Sequence, residues 1–505
     1  MLSLQAMLVL CFVTYYAVFH PLARYPGPFL AKFTNLYSAY HAWKGDIHLD
    51  MYRCHQQYGN TVRYAPNRLL INTAGGVHDI YGHGAKVKKY KNYKVLAQQA
   101  PNTLTLRDKV QHGRRRRVLS QAFSKEGLKT LEPSILAQLD CFVELLRSQV
   151  GPGCKWSAPV DMAHAFSHLA FDTMTSVCFG AGFNTMRDPK YRYVMDAIEE
   201  SNIRLGVLLQ AQQLTRMHLD NRLFPSSVTA RSQFARFIRS VLRDRLQASI
   251  SGDIFSFLQQ CKDPATGEAL TMPELSTETA TFIVAGSDTT STTLASVSHY
   301  LASSPRSYQL VATEVRNTFA SLSDIRLGAR LNSCTYLRAC IDEALRLSPP
   351  GGASLWREVE QGGAVIDGTF IPEGVEVGVG IYSIHHSEDC YPNAFNYEPE
   401  RWSSETMEKN TPSFRPFIPF SIGARSCIGK PLALSQLMLT FARLFWLFDF
   451  RKADAGHSDD WPEGDKVGKQ PQEEGQVQEY ELEDHVTGTK RGPVLCFRPR
   501  DAATV

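Results

Sequence analysis

A single cysteine set between two glycines, near the C-terminal end, constrains the fold of this chain more than any other feature. Gly423 and Gly429 allow the backbone to turn tightly and a flat ligand to approach it. An apolar run follows and predicts a helix, whose first amides, those of Ile428 and Gly429, would point at the Cys427 sulfur and favour its thiolate. A buried structural cysteine is the commoner case, but it does not explain the two glycines.

Arg425, two residues before the cysteine, provides a cation suited to a carboxylate. A thiolate held in this way is one of the few protein ligands that push electron density into a haem iron. The segment from Phe420 to Gly429 reads Phe, two residues, Gly, any, Arg, any, Cys, any, Gly, and it resembles the haem-binding signature of the cytochrome P450 family. The resemblance implies haem b, with Cys427 as the axial ligand of the iron and contacts from Phe420, Gly423, Arg425 and Gly429.

The length of 505 residues alone would allow about three domains, but no repeat or long linker divides the chain. The resemblance implies instead a mainly α fold with a small β-sheet region, in a single large haem-binding domain. Within it, the polar stretch 454–479 predicts an exposed insertion. The net charge of +4 is too small to indicate nucleic-acid binding. Eleven cysteines without a C-x-x-C pair indicate neither a zinc site nor a disulfide framework, and fit a reducing environment.

Residues 1–19 carry no charge and are mostly apolar, and this is about the minimum length of a membrane-spanning helix. The alternative is a signal peptide, but a basic N-terminal region and a clear cleavage site are both lacking. Arg24 and Lys32 follow, and the positive-inside rule places them in the cytoplasm. We therefore expect a single anchor at residues 1–20 in the endoplasmic reticulum membrane, and a haem domain at residues 21–505 that faces the cytoplasm.

A helical pattern that begins near Glu274 contains a glycine, Gly286. Glycine inside a helix costs about 1 kcal/mol relative to alanine and usually has a packing or functional reason. Here we expect it to open room over a flat cofactor. Asp288 and Thr289 follow, and an acid beside a hydroxyl can relay protons. The resemblance implies that this pair delivers protons to bound dioxygen, whereas ordinary helix packing is the alternative.

Glu343 and Arg346 lie three residues apart in a predicted helix and share a face, which usually indicates a weak surface ion pair. The run from Pro399 to Trp402 resembles the family's next signature element, and its arginine is Arg401. The resemblance implies that Glu343, Arg346 and Arg401 form a buried network that locks the fold around the haem. Their predicted role is structural and not catalytic.

His112 and Arg116 lie four residues apart in a helix predicted from about residue 106 to 123, so they point the same way. They resemble the family's pair that binds the haem propionates, and Arg357 matches an arginine with the same role. The run Arg114–Arg117 contains no aromatic residues and sits in an amphipathic helix, which argues against nucleic-acid binding. It predicts a solvated basic face at Arg114, Arg115 and Arg117, and by the resemblance such a face docks an acidic electron donor.

The resemblance implies a monooxygenase that uses dioxygen and NADPH-derived electrons to hydroxylate or otherwise oxidise a hydrophobic small molecule. The electrons would come from NADPH–cytochrome P450 reductase, with cytochrome b5 as a further donor, since the chain has no G-x-G-x-x-G segment. Oxidative coupling of two phenol rings without oxygen insertion stays open as an alternative. A non-catalytic haem sensor is a third hypothesis, and the pair Asp288–Thr289 argues against it.

Two short segments, 20–23 and 65–67, look very similar to members of the family from filamentous fungi that act in natural-product pathways. We therefore expect the substrate to be an intermediate of secondary metabolism. The residues expected to line its pocket are small or apolar: Phe282, Ala285, Gly286, Gly352, Ala353 and Leu355.

Overall fold

The computed structural model describes residues 2–97, 100–180, 182–247, 252–403, 416–453 and 477–500. The α-helices are, in chain order, α1 (Leu2–Thr14), α2 (Leu36–Lys44), α3 (Ile47–Tyr58), α4 (Ala74–Tyr81), α5 (Lys109–Ala122), α6 (Lys125–Ser148), α7 (Met162–Phe179), α8 (Tyr193–Gln210), α9 (Leu219–Leu223), α10 (Pro225–Gln247), α11 (Ile254–Gln260), α12 (Met272–Ser303), α13 (Pro305–Thr318), α14 (Ala329–Asn332), α15 (Thr335–Leu347), α16 (Ile381–His385) and α17 (Lys430–Leu447). The predicted fold class, mainly α in a single domain, is confirmed. Of the expected insertion at 454–479, residues 454–476 lie outside the described part of the chain.

The strands are short and form small sheets. They are β1 (Thr61–Ala65), β2 (Arg68–Ile71), β3 (Val87–Lys89), β4 (Val160–Asp161), β5 (Arg357–Val359), β6 (Ala364–Ile366), β7 (Thr369–Ile371), β8 (Glu376–Gly378), β9 (Phe448–Lys452), β10 (Leu482–Asp484), β11 (Gly488–Lys490) and β12 (Val494–Pro499). The largest sheet has the order β1-β2-β8-β5-β3, and the pairs β6-β7 and β10-β11 are hairpins. Strands β3 and β5 pair antiparallel, with Lys89 opposite Arg357.

Helix α12 is the long central helix, and it spans 32 residues. A capping box fixes its start, because the Thr271 hydroxyl accepts from the Glu274 amide and the Glu274 carboxylate accepts from the Thr271 amide. Helix α7 packs along it, and a Cβ at Gly286 would lie 2.6 Å from the Met174 sulfur. The glycine therefore accommodates Met174, and it is also partly exposed, so our expectation that it opens room over a cofactor stays a prediction.

A buried ion network joins α15 to the segment that follows α16. The carboxylate of Glu343 accepts from Arg346 at 2.9 and 2.8 Å and from Arg401 at 3.0 Å, and it also accepts from the Trp402 indole at 2.9 Å. Arg346 donates further to the carbonyl of His385 at 2.8 Å. A buried carboxylate with this many donors is compensated for its loss of water, so this pair is not a weak surface bridge.

The N-terminal apolar run is α-helical only in its first part. Helix α1 contains 13 residues, and a π-helical segment, Tyr15–Phe19, follows it. Thirteen residues extend about 20 Å, whereas the hydrocarbon core of a bilayer is about 30 Å thick. Among the described residues, no helix has both the length and the apolar character needed to cross a membrane. The expected transmembrane helix within residues 1–20 is therefore not supported.

Candidate functional site

The cysteine loop turns between the chain segment after residue 416 and helix α17. The amide of Cys427 donates to the Phe420 carbonyl at 2.8 Å and closes the loop. Gly423 has a φ of +68°, and a Cβ there would collide with the Tyr81 carbonyl, so only glycine fits. Gly429 differs, because its φ is −80° and a Cβ would lie 3.9 Å from the Cys427 sulfur. The backbone requires glycine at the first position and not at the second.

Cys427 is exposed although protein atoms surround its thiol on most sides, so we infer that it lines a recess in the fold. Burial raises the pKa of this thiol. Hydrogen bonds from the amides of Gly429 and Lys430, together with the charge of Arg116, lower this pKa and so offset part of the effect of burial. The expected donor pair was Ile428 and Gly429, so the helix start lies one residue later than predicted. Iron binding would replace the thiol proton, as it does for any coordinating thiol.

Helix α12 presents an accessible face in its middle. Ala285 is exposed and Thr289, one turn later, is partly exposed, although most of the surrounding helix is buried. The Thr289 hydroxyl donates to the Ala285 carbonyl at 2.7 Å. The segment 101–107 contacts both α12, through Glu278, and the cysteine loop, through Arg425. We therefore infer that this face and Cys427 border the same recess.

Asp288 points to a different side of α12 from Thr289. Its carboxylate is buried and accepts from the hydroxyl of Thr487 and from the amide of Asn202 at 3.3 Å. Lys490 places its ammonium 3.6 Å from the Asp288 carboxylate and 3.6 Å from that of Glu199. Burial raises the pKa of Glu199, which is partly exposed. The sequence reasoning did not identify Lys490 or Glu199, since nothing in their local patterns indicates a contact with α12.

A cluster of buried and half-buried cations lies beside the recess. Arg357 donates to the Leu355 and Trp356 carbonyls at 3.0 and 3.1 Å, and Arg425 donates to the Leu106 carbonyl at 2.5 Å. Arg116 donates to the carbonyl of Ser426, the neighbour of the cysteine. His112 is buried with them, and burial and the cations around it lower its pKa to about 3.

Lys89 belongs to the same cluster and was missed by the sequence reasoning. Burial and the charges of Arg357 and Arg425 lower its pKa well below the usual value, and it lies directly opposite Arg357 across the β3–β5 pair. Like charges in that position destabilise a sheet. Within the described ranges, Lys89, Arg116, Arg357 and Arg425 form no ion pair with a carboxylate.

Such a cluster fits an anionic ligand, because buried charge of one sign is costly until it is compensated. Two propionates beside an iron that Cys427 binds would compensate it, so the residues present fit a haem. His112, Arg116, Arg357, Arg425 and Lys89 would hold the propionates.

The remaining arginines of α5 do not form the solvated basic face that we expected. Arg115 is buried and pairs with Glu274 at 3.0 Å and with Glu278 at 3.1 Å. Arg114 pairs with Glu274 at 2.7 Å, and Arg117 binds Asp263 through two bonds of 2.7 Å. These three charges are neutralised within the fold, so the expectation of a free cationic face here was wrong.

The predicted pocket residues divide into two groups. Ala285, Gly286, Ala353 and Leu355 are accessible or partly accessible. Phe282 instead packs edge-to-face on Phe123 in the core, with ring centroids 5.3 Å apart. Gly352 is buried, and a Cβ there would lie 2.9 Å from His48, so this glycine serves the packing of α3.

Comparisons with known proteins agree with this geometry. The sequence model of the cytochrome P450 family matches residues 25–476. The chain is 48% identical to the cytochrome P450 monooxygenase poxM of Penicillium oxalicum, over 98% of this chain and 94% of that protein. It is 42% identical to the cytochrome P450 monooxygenase atnE of Emericella nidulans, over 95% of this chain and 93% of that protein.

A solved structure agrees with the fold. The crystal structure of the cytochrome P450DA heme domain superposes with a TM-score of 0.70 at 18% identity, over 90% of this chain and 93% of that one. Sequence and fold point to the same conclusion. The chain belongs to the cytochrome P450 family of monooxygenases.

Proposed function

We propose that this enzyme hydroxylates a hydrophobic intermediate of fungal secondary metabolism, with electrons supplied by NADPH through a separate reductase. The observation that carries the proposal is the recess itself. Cys427 lines it, the accessible face of Ala285 and Thr289 borders it, and cations without a carboxylate partner among the described residues lie beside it. When bound, the haem supplies the activation of dioxygen. The secondary-metabolism part rests on the similarity of segments 20–23 and 65–67 to fungal members of the family.

The protein's own contribution at the proximal side is to hold the ligand sulfur in place. The amides of Gly429 and Lys430 donate to Cys427 and fix its direction. Arg116 ties the neighbouring Ser426 to helix α5, so the loop cannot shift along the helix. The cation cluster would orient the haem by its propionates.

On the opposite side we propose that Thr289 and Asp288 deliver protons. The Thr289 Oγ1 borders the recess and can pass a proton from its own hydroxyl while its lone pair accepts another. Asp288 lies on the next side of the helix, where Thr487 and Lys490 hold its carboxylate. Asp288 would therefore supply protons to Thr289 from another side of α12. Lys490 and Glu199 would link Asp288 to the protein surface.

The partners and location are part of the proposal. We propose NADPH–cytochrome P450 reductase and cytochrome b5 as electron donors, and a haem domain at residues 21–505 on the cytoplasmic side of the endoplasmic reticulum membrane. The apolar side chains along residues 4–19 are largely exposed, Phe19 at 72%, and this supports contact with lipid. Fractionation of cells that express the full chain tests the location, and recovery of the protein in the soluble fraction would contradict it.

The test of the reaction begins with the metabolites of strains that contain or lack this gene. The compound that accumulates without the gene is then incubated with the purified enzyme, the reductase, NADPH and ¹⁸O₂. A product that carries one ¹⁸O atom is the expected result. A coupled product without ¹⁸O would identify the enzyme as a phenol-coupling P450 and would overturn the proposed hydroxylation. A failure to consume the compound in the presence of a spectroscopically intact haem would contradict its role as the substrate.

A further inference from the structure

The segment 101–107 spans the recess between α12 and the cysteine loop. At its C-terminal end, the guanidinium of Arg425 donates to the carbonyls of Leu106 and Arg107 at 2.5 and 3.2 Å. This end is therefore attached to the loop that carries Cys427. The position of the rest of the segment depends on what attaches its other end.

That other end is attached to one carboxylate oxygen of α12. Oε1 of Glu278 accepts from the Thr103 amide at 2.6 Å and from the Thr103 hydroxyl at 2.7 Å. The same oxygen accepts from Arg115 at 3.1 Å, and Arg115 also donates to the Pro101 carbonyl. In a second, weaker attachment, the side-chain amide of Asn102 donates to the Thr281 hydroxyl at 2.8 Å.

Glu278 is only 1% exposed, which is uncommon for a glutamate. A buried carboxylate is retained only when donors replace its lost water, and here the donors are the segment and Arg115. The position of the segment therefore depends on the Glu278 carboxylate, and the burial of that carboxylate depends on the donors of the segment. The rest of the segment is held internally, because Asn102 and Thr105 bond each other's backbone and side chains at 2.9–3.2 Å.

The attachment lies on the side of α12 that opens onto the recess. Glu278 and Thr281 are followed at helical spacing by Ala285 and Thr289, so the four residues form one stripe along α12. The segment thus closes the N-terminal end of the accessible face. Between its two attachments it carries Leu104, a large apolar side chain that is 42% exposed.

We propose that Glu278 is a positioning residue that fixes segment 101–106 over the recess and thereby limits the size of the molecules that bind there. Its attachment to Thr103, and not its ion pair with Arg115, sets the position of Leu104. This inference rests on the proposed haem site only for the azole measurements below. The backbone measurement does not depend on haem.

The first experiment is hydrogen–deuterium exchange of the holoenzyme and its Glu278→Gln variant. The neutral amide keeps the size of the side chain but removes the charge that three donors share. We expect exchange in peptides covering 100–107 to become about tenfold faster, because a hydrogen bond to a charged group is lost at a buried attachment. Exchange in α17 should not change. Unchanged exchange at 100–107 would overturn the proposal.

The second experiment compares two azoles of different size by difference spectroscopy, imidazole and clotrimazole. In Glu278→Gln we expect the dissociation constant of clotrimazole to change by about fivefold or more, and that of imidazole by less than about twofold. Equal changes for both azoles would show a general disturbance of the haem site and would overturn a role in size selection.

Two further variants separate the Thr103 attachment from the ion pairs of Arg115. Glu274→Gln removes the partner that Arg115 shares with Arg114 but leaves Thr103 attached, so it should leave the clotrimazole constant unchanged. Thr103→Val removes only the hydroxyl bond, and it should reproduce part of the effect even where Glu278→Gln does not fold. An effect of Glu274→Gln without an effect of Thr103→Val would overturn the proposal. If the wild-type protein binds no azole at all, the proposed haem site fails, whereas the exchange experiment still decides the role of Glu278.

Discussion

At the scale of single residues, the site is defined by buried and half-buried cations that have no carboxylate partner among the described residues. Lys89 shows this most clearly, since it lies opposite Arg357 and its ammonium is 4.3 Å from the centre of the Tyr93 ring. A cation–π contact offsets only part of the cost of burying a charge. The position of Lys89 therefore favours binding of an anion, and the described part of the chain places no carboxylate there.

Replacing Lys89 by methionine should therefore weaken the attachment of haem. We expect haem transfer to apomyoglobin to become about tenfold faster, because one charge-assisted hydrogen bond is worth roughly 1.5–3 kcal/mol. Lys89→Arg should retain most of the affinity. Lys88→Met is the matched control, since Lys88 is the neighbour on β3, is 37% exposed and pairs with Glu358. Equal rates of haem loss from wild type and Lys89→Met would contradict this role.

His385 illustrates a buried group with a predictable pH dependence. Its Nε2 accepts from the Ile418 amide at 3.0 Å, which leaves Nδ1 as the donor to the Arg346 carbonyl at 3.2 Å. Burial, and then the charge of Arg346, lowers its pKa to about 3. The unfolded chain, with a pKa near 6.5, binds the proton more readily, so this group costs stability as the pH falls from about 6.5 toward 3.

We expect the melting temperature of the wild type to fall between pH 7 and pH 5 by more than that of His385→Gln. The contribution of this group is about 1.4 kcal/mol per pH unit within that window. His78→Gln serves as the control, because His78 is exposed. If wild type and His385→Gln lose the same number of degrees between the two pH values, His385 does not contribute in this way.

At the scale of elements, helix α12 places Thr289 and Asp288 in different surroundings. Consecutive residues differ by about 100° around a helix, so Thr289 borders the recess while Asp288 contacts β11 and α8. The sequence predicted both residues, but it did not predict that they face different sides. The partners of Asp288, Thr487 and Lys490, lie about two hundred positions away in the chain, and a single sequence does not indicate such long-range contacts.

Thr289→Ala tests the recess side of this helix. We expect the product formed per NADPH consumed to fall about tenfold or more, because a positioned proton donor is lost. Azole binding should remain, since the Thr289 hydroxyl bonds only within its helix in the described structure. Thr290→Ala is the control, because Thr290 is buried on another side. If Thr289→Ala forms as much product per NADPH consumed as the wild type, Thr289 has no part in the proton path.

At the scale of the whole molecule, the sequence predicted what local patterns determine. The helix expected at 106–123 is α5, Lys109–Ala122, and the loop expected to carry Cys427 leads into α17. Contacts between distant parts of the chain were not predictable. Arg115 was expected on a solvated face, but its partner Glu278 lies 163 positions away and buries it. The N-terminal run was apolar enough to indicate a spanning helix, and the helix proved too short.

The central claim is that Cys427 binds haem iron as a thiolate, and the most direct measurement is the difference spectrum of the reduced, purified enzyme with carbon monoxide. The account predicts a strongly red-shifted Soret band that thiolate ligation alone produces, and its loss in Cys427→Ser. Cys390→Ser, which alters a cysteine outside this loop, should leave the band unchanged. A wild-type spectrum like that of histidine-ligated haem, or a red-shifted band that persists in Cys427→Ser, would contradict the account.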